Sequence, residues 1–176
     1  MILYGGIDSG MDGAVALVDQ YGKCVRMYDS FKIDVGKGKT KGGKKKVNNI
    51  PETYSMARAI RMCRAYARKR GHSLIFTLEK QQAMPKQGVV SMFKIGLSYG
   101  CWLGCLDSFK IKYELVHPRT WQTKILKDAR GTDTKARSLN VGRRLFPDVP
   151  LPLKGDHNKS DALLIAEYTR RMDNGC

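Results

Sequence analysis

The sequence predicts an α/β fold built on a mixed β-sheet. Three observations carry this. Apolar stretches at 2–8, 13–19 and 23–29 are separated only by Gly10, Asp12 and Gly13 and then by Gln20-Tyr21-Gly22-Lys23. Connections that short require antiparallel neighbours, so these strands form a meander. A helical pattern then leads into the apolar run Ser73 to Glu79, and a strand that returns after a helix is expected to lie parallel to an earlier one. Further helical patterns alternate with one more strand to the end of the chain.

The first strand, Ile2-Leu3-Tyr4-Gly5-Gly6-Ile7, is apolar and runs into Asp8-Ser9-Gly10. An apolar run bounded by glycines reads as buried. A carboxylate at its end is costly to desolvate without a positive partner. No Lys or Arg occurs in the first twenty-two residues, so a bound cation is the natural compensator. Asp-Ser-Gly is also ordinary turn chemistry, so Asp8 alone decides nothing. The stretch 36–46 carries six lysines and four glycines and reads as a mobile low-complexity loop. It suits the tracking of a phosphate backbone, and equally a solubilising role. Asn48 to Glu52, with Pro51, reads as a helix start. Met56, Ala59, Ile60, Cys63 and Ala67 form its core stripe, Arg58, Arg61, Arg64 and Arg68 lie off it, and Gly71 ends it.

The strand Ser73 to Glu79 repeats the opening pattern, an apolar run that ends in an acid. Sites in such sheets lie at the carboxyl ends of the strands, so Glu79 is expected beside Asp8. The ordinary alternative is an exposed acid just past a strand end. Gln81 to Val90 is a loop with Pro85 and Gly88, and a helix follows from Ser91 to about Leu106. Gly96, Gly100 and Gly104 fall four apart on it, which predicts a backbone packed closely there, either the sheet or a partner subunit. Ile111 to Val116 is a strand closed by His117-Pro118, and Pro118 to Leu126 is a helix containing Trp121. Asp133 or Thr134 caps a helix to Phe146 that carries Lys135, Arg137, Arg143 and Arg144. After Pro147, Pro150 and Pro152 the last helix runs from about Lys159 to Met172. Asp161 sits in its first turn and Asp156 in the turn before. His157 would share a face with Asp161 only if the helix began earlier. An acid at a helix N-terminus is also a common arrangement without function.

Length and composition bound the answer. A chain of 176 residues suits one domain, 1–176. Thirty-two Lys and Arg against 16 Asp and Glu give a net charge of +16. Such an excess points to a polyanionic partner, nucleic acid first, and to binding that weakens steeply with salt. No apolar run near 18 residues is read, so no membrane-spanning helix is expected. The opening lacks the charged leader of a signal peptide, so secretion is not expected. The cytoplasm, a nucleic-acid-containing organelle or a virus-infected cell is expected instead. The five cysteines (24, 63, 101, 105 and 176) lack metal-binding spacing and read as free thiols.

Four acids therefore stand out: Asp8, Glu79, Asp156 and Asp161. Together with the basic surface they form the pattern expected of a divalent-metal phosphodiester hydrolase. Hard oxygen ligands suit Mg²⁺ or Mn²⁺. In a two-metal site the ions lie roughly 4 Å apart and clamp the attacking and leaving oxygens.

The sequence also resembles a known family. Gly6-Ile7-Asp8-Ser9-Gly10 with Gly13-Ala14, Leu78-Glu79, Ser91-x-Phe93-x-x-Gly96-x-x-x-Gly100, Pro118-x-x-Trp121, Lys135 and Asp161-Ala162-Leu163-Leu164-Ile165-Ala166 are similar to the ordered motifs of RuvC-type Holliday junction resolvases. Lys86-Gln87-Gly88 and Asp156-His157 look closest to the chloroplast and phage-like branch. The 36–46 stretch is not part of that pattern. The resemblance implies an RNase H-like fold, a five-stranded mixed sheet flanked by helices on both faces. It implies a homodimer that acts on branched DNA, nicking opposed strands of a four-way junction to leave 5′-phosphates, with two Mg²⁺ (or Mn²⁺) ions per active site. Carried over by motif, Asp8, Glu79 and Asp161 are metal ligands, with Asp156 as the fourth and His157 as the runner-up. Many members place that acid where this chain has Asn158. Gln122 stands where many have lysine, so Lys124 or Lys135 is left to offset phosphate charge. Lys80, Lys86, Gln87, Arg119, Lys124 and Lys135 are the expected DNA contacts. The loop 80–92 is expected to probe the junction centre through Met84, Gln87 and Phe93. Two other functions stay open: another RNase H-like nuclease acting on RNA–DNA hybrids or branched DNA, and a non-catalytic nucleic-acid-binding module. An actin-like fold, which opens with a similar motif, needs a second domain for which the chain has no room.

Overall fold

The computed structural model describes residues 1–83, 85 and 87–175. Its centre is a five-stranded sheet made of β1 (Ile2–Ile7), β2 (Ala14–Val18), β3 (Cys24–Asp29), β6 (Ser73–Glu79) and β7 (Lys112–Val116), in the order β3-β2-β1-β6-β7. The first three strands are the predicted meander, with Tyr4 opposite Val18 and Gly6 opposite Ala16. β6 lies parallel to β1 and β7 lies parallel to β6, as expected of strands that return through helices. The sheet is therefore mixed, and five α-helices cover its two faces, an RNase H-like arrangement.

On one face lie α1 (Thr53–Lys69) and α2 (Val89–Ser108). Their Met56, Ile60, Trp102 and Leu106 meet Leu3, Ile7, Phe76 and Leu78 of the sheet. On the other face lie α3 (Pro118–Ile125), α4 (Thr134–Leu145) and α5 (His157–Asp173). Trp121, Leu139, Leu163 and Ala166 there pack on Ala14, Ala16 and Val18. β1 alternates between the two cores because successive side chains point to opposite faces.

α5 crosses β1 at close quarters. A Cβ on Gly6 would lie 2.1 Å from the Ala162 carbonyl oxygen and 2.4 Å from the Ala166 nitrogen. Glycine on the strand and alanines on the helix let two backbones touch. Further along, the Thr169 hydroxyl donates to Thr77 Oγ1 at 2.7 Å, and the Tyr4 hydroxyl donates to Asp173 at 2.7 Å. The helix is thus fixed on the sheet along its length.

Four features differ from the sequence reading. First, α5 begins at His157, earlier than Lys159, because a 3₁₀ turn (Lys154–Asp156) leads straight into it. Asp156 accepts the Leu153 N–H at 2.8 Å and stabilises that turn. Second, 36–46 is not a shapeless loop. It is the outer part of a hairpin whose base is β4 (Lys32–Asp34) paired with β5 (Asn49–Pro51). Asp34 holds the hairpin closed by accepting from the N–H groups of Gly36 and Asn48 and pairing with Lys45. Third, the glycines of α2 do not pack against the sheet: a Cβ on Gly96, Gly100 or Gly104 would meet nothing within 4 Å. Fourth, α2 has 20 residues, and an 18-residue stretch of it has a mean hydropathy of 1.4, enough to cross a membrane by length and composition, contrary to the expectation. Trp102 and Leu106 use one side of it for the core, while Val89, Phe93 and Leu97 are exposed on the other. Of the thiols, Cys24, Cys63, Cys101 and Cys105 are free, and burial pushes Cys63 up to about 12; Cys176 lies outside the described residues.

Substituting Gly6→Ala forces the strand and α5 apart and should cost about 3 kcal/mol or more, at the upper end of overpacking effects. Urea unfolding of the variant checks this; a loss below about 1 kcal/mol would show that the close approach is not rigid.

Candidate active site

The register of β1 and β6 builds the site. Ile7 lies beside Leu78, so the next residue of each strand, Asp8 and Glu79, emerges at the same carboxyl edge of neighbouring parallel strands. Asp8 is 8 % exposed and Glu79 7 %. The turn after Asp8 is tightly organised. The Gly10 N–H donates to Asp8 Oδ1 at 3.0 Å, and the Asp8 N–H donates to the Ala14 carbonyl at 3.0 Å. Ser9 ties the two strand ends together, its hydroxyl donating to the Glu79 carbonyl at 2.8 Å. Gln81 Nε2 donates to the Ser9 hydroxyl, and the Ser98 hydroxyl of α2 donates to the Ser9 carbonyl at 3.0 Å.

The third carboxylate comes from α5. The contact of Gly6 with Ala162 brings the first turns of α5 over the end of β1, and with them Asp161. Its Oδ1 accepts from the Ser138 hydroxyl of α4 at 2.5 Å.

These three acids feel one another. Burial raises Asp8 above the ordinary carboxylate range, while Gly10, His157 and Lys135 pull it down. Glu79 is pushed up to about 8 by burial and then by the charges of Asp8 and Asp161. Asp161 keeps some open surface, yet burial and the Asp8 charge still drive it to about 7, against the pull of Ser138 and Lys135. The buried Trp121 indole N–H meets no acceptor within hydrogen-bonding limits, but it lies close enough to favour the charged form of Glu79. Like charges crowded in a poorly hydrated place call for positive compensation.

Asp156 and His157 part company. The Asp156 carboxylate faces away, toward the Leu153 N–H at 2.8 Å and Lys159 at 3.2 Å, and these partners hold its pKa down. Lys159 also reaches Asp29 at 3.0 Å, so Asp156 belongs to a tie between the start of α5 and the end of β3. His157, one helical turn before Asp161, shares its face because α5 starts early. Its Nδ1 lies 3.1 Å from the Lys154 carbonyl. A carbonyl only accepts, so Nδ1 is the donor in that contact and Nε2 is the ring nitrogen left for another partner.

Lys135 stands one turn before Ser138 on α4 and acts on both Asp8 and Asp161. It lines a cleft of about 630 Å³ together with Arg143, Lys154 and His157. Lys124 is turned elsewhere, packed on Met172 and Tyr168 toward the far end of α5. Arg119 lines a separate cleft with Lys127 and Arg137. Lys80 is exposed just past Glu79, and Phe93 is exposed on α2. Gln87 lines a small cleft with Gln81 and Gly96. Met84 and Lys86 lie outside the described residues. Ser9 was read only as part of the Asp8-Ser9-Gly10 turn, and Ser98 and Ser138 were not read from the sequence, since isolated serines carry no pattern.

The donor set suits a divalent cation: three carboxylates and an imidazole. Among the described residues, the second oxygens of Asp8 and Asp161 accept no hydrogen bond. The ligands are not drawn into a closed cage, for no three acids, histidines or cysteines among the described residues converge to ion-binding distance. The chemistry fits, with final closure left to the ion and its waters.

No protein-family model and no curated protein matches the sequence. Solved structures do match along nearly the whole chain. A structure described as T. thermophilus RuvC in complex with a Holliday junction substrate is 13 % identical, with a TM-score of 0.58, over 99 % of this chain and 97 % of that one. A second Thermus thermophilus RuvC structure is 16 % identical, with a TM-score of 0.52 and the same coverage. The fold is therefore RuvC-like.

The raised carboxylates set a pH dependence. Groups raised in the folded state favour folding below their unfolded values near pH 4 and lose that contribution as pH rises through about 7 to 8. In chelator, stability should fall between pH 5 and 8, and Asp8→Asn should flatten the fall. Denaturant titrations at several pH values check this; a native curve as flat as that of Asp8→Asn would contradict it.

Proposed function

We propose that this chain is a homodimeric, divalent-metal-dependent endonuclease that resolves four-way DNA junctions by paired nicks leaving 5′-phosphate ends. One observation carries the reading: Asp8, Glu79 and Asp161 meet at the carboxyl edge of the sheet with Lys135 and His157 beside them. The RuvC-like fold and the junction bound in one of the matching structures support the choice of substrate.

Asp8, Glu79, Asp161 and His157 Nε2 would hold Mg²⁺ or Mn²⁺, two ions per site. Such ions lower the pKa of an attacking water and stabilise the departing 3′-oxygen. Asp8 would be one of the ligands, its charge felt by both Glu79 and Asp161. Ser138 orients the Asp161 carboxylate, and Lys154 fixes the imidazole tautomer. Lys135, free to approach from the cleft, offsets charge on the scissile phosphate. Lys135, Arg143 and Lys154 give the strand a basic bed.

A four-way junction has two equivalent cut sites, which a two-fold pair of chains matches. The exposed face of α2 offers the contact. Val89, Phe93 and Leu97 are 77, 69 and 39 % exposed, and Gly96, Gly100 and Gly104 leave open space for a second helix. A partner helix there would satisfy the close-packing expectation raised by the glycines.

Asp8→Asn should bind a synthetic junction with native affinity and fail to nick it in Mg²⁺; undiminished nicking sinks the assignment. Lys135→Ala should slow nicking about 10²-fold or more, in single-turnover assays, with little change in binding. His157→Ala should lose activity that higher Mn²⁺ partly restores, while Asp156→Asn should lose mainly stability. The reverse result would return the fourth ligand to Asp156. Equal cutting of RNA–DNA hybrids or plain duplexes would replace the junction reading with a broader nuclease. Gly100→Leu should convert a sedimenting dimer to monomer, and a native chain that stays monomeric on junctions would rule out paired nicking.

A further inference from the structure

The arm at 36–46 is the part of the molecule that neither the fold nor the carboxylates explain. Its six lysines are all exposed, and no acid lies among them. The arm is a built hairpin. Thr40 N–H donates to the Lys44 carbonyl at 2.8 Å, Gly43 N–H to Thr40 at 2.9 Å and Lys46 N–H to Gly38 at 3.1 Å. Lys39 pairs directly with Lys45 across the strands. Like charges placed opposite one another weaken a hairpin. Asp34 neutralises Lys45 at 2.8 Å; among the described residues Lys37, Lys39, Lys41, Lys44 and Lys46 have no acidic partner. By strand alternation Lys37, Lys39 and Lys45 share one face and Lys44 and Lys46 the other, with Lys41 at the tip. The shape is held together around a charge surplus that only an external anion relieves.

The root of the arm is firm and lies next to the site. Phe31, just before β4, packs edge-on against the buried Trp102 with ring centroids 4.9 Å apart. Lys32 pairs with Asp12 in the turn that follows Asp8. Asn48 accepts from Lys94 of α2 at 2.9 Å. A cleft of about 370 Å³ lined by Asp12, Lys32, Lys159 and His157 runs from this root to the imidazole. His157 is also a wall of the cleft that holds Lys135, Arg143 and Lys154. The two clefts share Gly155 and His157 and so connect α4 with the root of the arm; the second is lined by Asp12, Asp29 and Asp156 as well as Lys32 and Lys159, so the unpaired positive charge lies on α4 and on the arm itself. From Asp34 to Lys41 the chain reaches out at most roughly 25 Å.

We propose that the 36–46 hairpin is a phosphate-backbone clamp, gripping a duplex arm of the DNA beyond the scissile phosphate through Lys37, Lys39, Lys41, Lys44 and Lys46. The proposal rests on the junction-nuclease reading for the identity of the substrate. The arm reads no sequence; it adds sequence-independent affinity and fixes the orientation of the duplex.

The test combines Lys37→Gln, Lys39→Gln, Lys41→Gln, Lys44→Gln and Lys46→Gln, leaving Lys45 on Asp34. Junction binding is followed by fluorescence anisotropy in Ca²⁺ over a salt series, and nicking by single turnover at saturating protein in Mg²⁺. The slope of log affinity against log salt should become shallower by about two to four, with about 10- to 100-fold weaker binding near 0.15 M salt. Nicking at saturation should stay within about threefold, because the arm contributes to binding and not to the chemical step. The matching Lys→Arg variant should keep the native slope, and urea unfolding should show both variants folded. A slope within half a unit of native, in a chain that still cuts junctions, overturns the clamp alone. Loss of binding to phosphatidylserine vesicles with DNA binding untouched overturns it in favour of a lipid surface. A native chain that cuts no junction, with the slope still reduced in the variant, retires the resolvase reading and upholds the arm as a nucleic-acid clamp.

Discussion

The repulsion among three crowded carboxylates, Asp8 and Glu79 buried and Asp161 nearly so, is the constraint around which this structure is arranged. Isolated, Asp8, Glu79 and Asp161 would each turn toward water or toward a lysine. They are kept together by covalent and backbone geometry that they do not control. Strand register sets the first two side by side. The helix that carries the third is pressed onto Gly6 by contacts between main-chain atoms. Ser9 then locks the two strand ends with a single hydroxyl. Burial and like charge hold Glu79 near 8 and Asp161 near 7. Such a site is tuned by its scaffold to accept positive charge, and the hydrophobic cores on both faces of the sheet supply the stability that offsets its cost.

Charge is partitioned with the opposite sign outside. The chain carries +16 overall, yet the carboxyl edge of the sheet gathers acids. Lys135 and His157 stand at the boundary between the two regimes, each close enough to depress Asp8. A polyanion drawn to the basic surface, as the proposed function requires, would meet an acidic centre that it can approach only with cations in between. The arrangement separates attraction, which is long-ranged and sensitive to salt, from chemistry, which is local.

Much of this was legible in the sequence. Apolar runs and short connections fixed the meander, and a helix before Ser73 fixed the parallel return that brings Glu79 to Asp8. What escaped had local causes. Asp156 read as a ligand because it is an acid near Asp161; its carboxylate is engaged by the Leu153 N–H and Lys159, a turn too irregular to foresee. The same turn starts α5 early and brings His157 round. The hairpin base escaped because three-residue strands carry almost no periodicity, and its closure depends on Asp34 alone among basic neighbours. The α2 glycines were read as a close-packing face, against the sheet or a partner, and they do not meet the sheet; nothing in a single chain's pattern says which partner a face awaits.

That open face has a further consequence. Two chains brought together on α2 each carry +16, and in dilute salt their fields repel over a Debye length of about 10 Å. Apolar contact through Val89, Phe93 and Leu97 has to work against that repulsion. Under the proposed function, DNA lying across both copies would neutralise them at once, and self-association and DNA binding would be linked equilibria in which each strengthens the other. On the proposed reading the nucleic acid would act as the counter-ion of the assembly, with added DNA shifting separate chains toward the pair.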